Sequence, residues 1–80
     1  MDSRFVRYDF ESSLGHIIEE CGEVVAAAGK IVRFGPLSYN PLLPKDEQET
    51  NIVWLIRELA DLKPAIDRLE AAIDKKFPRR

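Results

Sequence analysis

The stretch Asn51–Ile73, NIVWLIRELADLKPAIDRLEAAI, decides the fold. Within it Ile52, Leu55, Leu59, Leu62, Ile66, Leu69 and Ile73 follow one another at steps of three and four residues. On a helix of 3.6 residues per turn that spacing gathers them into one apolar stripe. A buried strand matches parts of Asn51–Leu62, but the length and spacing of the run favour helix. Asp46, followed three residues later by Glu49, reads as a capping box that opens this helix. Pro64 lacks the N–H that would reach the carbonyl of Ala60, and its ring crowds that turn. The sequence therefore predicts a kink or break near Lys63, dividing the segment into about 47–62 and 64–76.

Upstream, residues 34–46 hold Pro36, Pro41 and Pro44 together with Gly35, Ser38 and Asn40, the composition of a connection. Before it, Leu14, Ile17, Ile18, Cys21, Val24, Val25, Ala28, Ile31 and Val32 repeat the helical spacing, predicting a helix from Asp9 or Phe10 to Arg33. The expected fold is all-α: two long antiparallel helices in a single domain spanning residues 1–80.

Eighty residues make one small domain. Its 12 basic and 14 acidic side chains leave a net charge of −2, which lacks the basic excess that nucleic-acid binding uses. The lone Cys21 excludes an internal disulfide. No apolar run approaches the roughly 18–20 residues that cross a bilayer, and the opening Met1-Asp2-Ser3-Arg4 does not resemble a signal peptide. These features predict a cytoplasmic protein with neither nucleic acid nor membrane as partner. A small core without covalent staples also predicts oligomerisation.

An offset of 38 residues aligns the two helices: Leu14 falls on Ile52, Ile17 on Leu55, Cys21 on Leu59, Val24 on Leu62 and Ala28 on Ile66. The same offset carries Glu20 onto Glu58, Glu23 onto Asp61, Lys30 onto Arg68 and His16 onto Trp54. Glu20 and Glu58 border the apolar stripe, with Glu23 and Asp61 about 60° further out. Residues three apart are neighbours on a helix, so each pair presents two carboxylates from one patch. If the helices pack through their stripes, four carboxylates meet across a groove and repel unless a divalent cation lies between them. A hard cation such as Mg²⁺ suits such oxygen donors, and facing helices of bundles hold carboxylate metal sites in this way. Glu19 points away from the stripe, towards solvent.

Gly15, Gly22 and Gly29 recur seven residues apart. Each costs about 1 kcal/mol relative to alanine inside a helix, so the ridge reads as a second packing surface where another helix backbone approaches. Helix one is then contacted on two sides, which implies a homodimer or a homotetramer of four-helix-bundle type.

The string Glu19-Glu20-Cys21-Gly22-Glu23, then Glu58-Leu59-Ala60-Asp61, resembles the E-E-x-x-E … E-x-x-D signature of the MazG-like all-α nucleoside triphosphate pyrophosphohydrolases. The resemblance covers about Leu14 to Ile73. It implies a Mg²⁺-dependent enzyme, with Mn²⁺ as a substitute, that releases pyrophosphate from an NTP or dNTP. Glu20, Glu23, Glu58 and Asp61 would be the metal ligands, and Glu19 with Glu20 would serve catalysis. On that reading Lys30 and Arg33 would meet phosphate, and Trp54 and Asn51 would meet the base or sugar. Arg68 mirrors Lys30, His16 reads as structural, and the tail Lys75, Lys76, Arg79 and Arg80 as a solvated helix end.

The chain departs from the family in three places. There are 34 residues between Glu23 and Glu58, Pro64 closely follows Asp61, and no downstream asparagine–lysine pattern appears. These departures favour the alternative reading, a catalytically inactive helical oligomerisation or binding module.

Overall fold

A computed structural model describes residues 9–78; Arg79 and Arg80 of the basic tail, and the opening Met1–Arg4, lie outside them. Two helices pack against each other as an antiparallel hairpin, α1 over Phe10–Phe34 and α2 over Asn51–Lys76. The carboxylate of Asp9 caps α1, accepting the Ser12 backbone N–H at 2.8 Å. That N–H holds the Asp9 carboxyl below its ordinary range. The helix stops at Gly35, whose φ of 92° favours glycine and whose N–H closes on the Ile31 carbonyl at 2.8 Å.

The start of α2 differs from the expected one. Asp46 lies in a single 3₁₀ turn, Lys45–Glu47, and the helix is capped instead by Thr50, whose hydroxyl accepts from the Val53 N–H. The reason lies in the connection. The N–H groups of Asn51 and Ile52 reach back to the carbonyls of Ser38 and Pro36 at 2.9 and 2.8 Å. Two donors that a helix start leaves unpaired are thus satisfied at residue 51. The Asn51 side chain returns the favour to α1: its amide donates to the carbonyl of Gly35 at 3.0 Å and lies 3.5 Å from that of Lys30.

The predicted break at Pro64 is absent. Helix α2 runs unbroken through it for 26 residues. Pro64 and Ala60 are both exposed, on the side of the helix away from its neighbour, and the flanking turns continue the helix.

The packing also differs from stripe against stripe. The line of closest approach runs along Ser13, Glu20 and Ala27 of α1 and Asn51, Glu58, Ala65 and Ala72 of α2. Each set has heptad spacing, and the only fully apolar buried side chains among the described residues are three alanines. Small residues let the two backbones approach. Ile17, Val24, Ile31, Leu55, Leu62 and Leu69 flank the seam half-buried. Leu14, Ile18, Val25 and Val32 with Ile56, Leu59 and Ile66 are exposed. At about 100° per residue Leu14, Leu59 and Ile66 lie a little over a quarter turn from the seam, in the same sense on both helices, so antiparallel packing brings them to one face; Ile18, Val25, Val32 and Ile56 lie about 160° from it, at the outer edges of that face. A stripe this wide exceeds what one neighbouring helix covers. The layer is 14 Å through in its thin dimension.

At the open end, Phe10 and Phe77 meet edge to face with centroids 5.4 Å apart, and Lys76 pairs with Glu11 at 3.0 Å. The glycine ridge is not used within the hairpin: a Cβ at Gly15, Gly22 or Gly29 would meet nothing within 4 Å. No helix among the described residues is long and apolar enough to cross a membrane.

Candidate metal centre

Midway along the seam the two helices bring their carboxylates together. Oxygens of Glu20, Glu58 and Asp61 lie within 4.8 Å of one another, and oxygens of Glu19, Glu20 and Glu23 form a second such group. Glu20 belongs to both. The expected acids are therefore arranged as two overlapping triads that share Glu20, and Glu19 joins them instead of standing apart in solvent. Although exposed, its carboxylate lies beside those of Glu20 and Glu23 because one turn of helix carries all three.

The two carboxylates at the centre are held in the same manner. Trp54 donates its indole N–H to Glu58 Oε2 at 2.9 Å, and His16 Nε2 lies 3.2 Å from Glu20 Oε2. Each pair is separated by four residues, and the 38-residue offset superposes one pair on the other. An aromatic ring nitrogen one turn upstream thus anchors one oxygen of each central glutamate. The other oxygen of each, Glu20 Oε1 and Glu58 Oε1, is buried without a hydrogen-bond partner. Glu58 is only 4% exposed. Its anchored oxygen also lies 3.5 Å from the Arg57 guanidinium, which pairs in turn with Glu49.

A buried carboxylate oxygen without a partner is costly, and here two residues of one carboxylate cluster each carry one. The strain registers on Glu23. The charge of Glu58, foremost, raises its carboxyl above the ordinary range, with desolvation and the charges of Glu20 and Glu19 adding to the effect. The donor set consists wholly of carboxylate oxygens on two facing helices, the chemistry that fits a hard divalent cation.

The other expected site residues are distributed along the hairpin. Lys30 and Trp54 line a cavity at its closed end, with Asn51 in the wall. Asn51 spends its amide donors on the end of α1, so its evident work is structural. Arg33 is exposed and stacks its guanidinium over the Phe34 ring at 5.0 Å, away from the acids. Arg68 approaches His16 Nδ1 at 3.5 Å, on the side of the cluster opposite to Lys30. What residue-by-residue reading missed was the matched His16–Glu20 and Trp54–Glu58 pairs. The signal was present in the 38-residue offset, which puts His16 and Trp54 at equivalent places one turn before equivalent acids.

Comparison of the chain with models of known families, with curated proteins and with solved structures finds no match.

Proposed function

We propose that the hairpin is a Mg²⁺-dependent nucleoside triphosphate pyrophosphohydrolase of MazG-like character. The observation that carries this reading is that Glu20 and Glu58, each with one buried, unpartnered oxygen, belong to a carboxylate cluster with Glu23 and Asp61. A bound divalent ion would offset the triphosphate charge and polarise the phosphorus under attack. Glu20, Glu58 and Asp61 would hold it, with Glu23 as the fourth carboxylate. Glu19, exposed beside them, takes the proton of the attacking water as that oxygen bonds to the α-phosphorus. The bridging α–β P–O bond breaks, and pyrophosphate leaves with the bond's electron pair.

The exposed apolar face supports association with a second copy. Two helices of about 25 residues make a face about 37 Å long and 20 Å wide, some 740 Å². The standard contribution per partner to a stable interface is about 800 Å². A domain ordinarily needs a second packed layer, and two hairpins joined through the face of Leu14, Leu59 and Ile66, with Ile18, Val25 and Ile56 at its edges, form a four-helix bundle. That same face supports a second reading, a helical oligomerisation module without catalysis.

The two readings part in one experiment. The protein is incubated with NTPs and dNTPs plus Mg²⁺, and pyrophosphate is measured beside Glu20→Gln and Asp61→Asn variants. Release that falls at least 100-fold in both variants supports the enzyme. No release from any substrate refutes it, and release unaffected by both substitutions refutes the assigned site. Light scattering of the wild type against Ile18→Glu/Val25→Glu tests assembly; a monomeric wild type at micromolar concentration refutes it.

A further inference from the structure

The residues that lengthen the chain between its acidic pairs do more than connect helices. Residues 35–50 lie across the closed end of the hairpin and, with both helix ends, line an open cavity of about 650 Å³. Its walls include three aromatic rings, Phe34, Tyr39 and Trp54, together with Leu43 and Lys30.

These walls are held by a chain of hydrogen bonds. Ser38 and Pro36 are tied to the start of α2 through their carbonyls. The Asn40 side chain accepts the Leu42 N–H at 3.0 Å, and the Gln48 amide donates to the Leu43 carbonyl at 3.1 Å. The Ser38 hydroxyl closes on the carbonyl of Phe34.

Trp54 belongs to both sites. Its ring lines the cavity while its N–H is fixed on Glu58, one helical turn or about 6 Å along the axis. Lys30 stands on the same wall, with its ammonium 5.5 Å from the Phe34 centroid. The cavity falls within the roughly 300–1,000 Å³ of small-molecule pockets. Aromatic faces select a planar ring, since base–aromatic stacking is a strong and sequence-tolerant contact. The Trp54 N–H ties the cavity wall to the carboxylate seam, and Lys30 sets a cation on a lining that also carries Glu47 and Glu49.

We infer that this cavity is a nucleoside subsite, in which Trp54, Tyr39 and Phe34 grip the base and Lys30 guides the phosphates towards the acidic seam. The inference rests on the nucleotide reading above and adds that the proline-rich connection builds the base pocket.

Trp54 is the chain's one tryptophan, so its fluorescence reports the cavity directly. Adenosine, guanosine, cytidine and uridine, without phosphate or Mg²⁺, are titrated into the full chain, into Tyr39→Ala, Leu43→Ala and Asp61→Asn variants, and binding is repeated by calorimetry. Mg²⁺ binding is measured separately. The expected result is saturable quenching by at least one nucleoside at about 1 mM or below. It should weaken at least 5-fold in Tyr39→Ala or Leu43→Ala with helix content unchanged, and persist in Asp61→Asn. Saturable binding in a protein that takes up no Mg²⁺ upholds the subsite and refutes the metal centre. Mg²⁺ binding with no response to any nucleoside overturns the subsite alone, as does quenching that ignores both cavity variants.

Discussion

Replacing Glu58 by glutamine should make the metal-free protein more stable and remove its response to Mg²⁺. Glutamine keeps the shape of the side chain and an acceptor for the Trp54 N–H, so the change is chiefly one of charge. An oxygen of Glu58 lies no more than 4.8 Å from one of Glu20, and their side chains are 5% and 13% exposed. Two like charges at that separation repel by about 3.5 kcal/mol at an effective dielectric of about 20. Against this relief stands the weakening of the Trp54 and Arg57 contacts, which become neutral-acceptor bonds and lose roughly half their strength, together about 2 kcal/mol. The net gain is about 1–2 kcal/mol. For a domain of this size that raises Tm by about 5–15 °C. In Mg²⁺ at 100 times its Kd the wild type gains about 2.7 kcal/mol by linkage, whereas the variant, short of a ligand, gains almost nothing. Thermal melts followed by far-UV circular dichroism, at fixed protein concentration in EDTA and in MgCl₂, should therefore show the two proteins exchanging rank. A variant less stable than wild type in EDTA would refute the repulsion argument. An equal Mg²⁺ gain in both would refute the role of Glu58 as ligand.

The raised carboxyl of Glu23 makes stability depend on pH in a definite direction. Its contribution is fully present below the unfolded pKa and is lost as pH rises through the folded one. Metal-free protein should thus lose stability from about pH 4 towards neutrality in denaturant titrations, and Glu23→Gln should flatten that slope. Pro64→Ala restores a donor to the Ala60 carbonyl at an exposed helix position and should stabilise by up to about 3 kcal/mol in urea unfolding. A destabilised variant would show that the proline is required by its surroundings. Asn51→Ala removes the amide that satisfies the end of α1 and should cost about 1–2 kcal/mol by the same assay. It should also increase amide exchange in residues 35–40, the segment whose tie to α2 begins there.

The resemblance to a pyrophosphohydrolase signature rests on five acids in two short strings. The structure adds a physical reason for those acids to sit where they do. Charged side chains on a seam between small residues are out of place in a hairpin built for stability alone, since alanines at the same positions would let the helices approach without repulsion. Glu20 and Glu58 occupy two positions of the very heptads that elsewhere carry Ser13, Ala27, Ala65 and Ala72. The proposed metal site rests on that placement.

The sequence by itself determined the two helices, their antiparallel pairing and the candidate acids, because these follow from local periodicity and from a repeat that survives at the level of single residues. It also marked residues 34–46 as a connection. The tertiary structure decided which side of the stripe becomes the seam. Periodicity locates an apolar face but does not say which edge of a wide face meets its neighbour; close approach of backbones through alanine settled that, leaving the larger side chains outward. The start of α2 likewise depended on backbone bonds from Asn51 and Ile52 to a connection that no local capping pattern describes. Pro64 does not break α2: it lies on the exposed side of the hairpin, clear of the seam, and the sequence pattern of Pro64 alone does not say on which side it falls. The convergence of Glu20 with Glu58 was legible in the offset of the repeat. That one oxygen of each would be anchored by His16 or Trp54, and the other left buried without a partner, emerged only when the two helices were in contact.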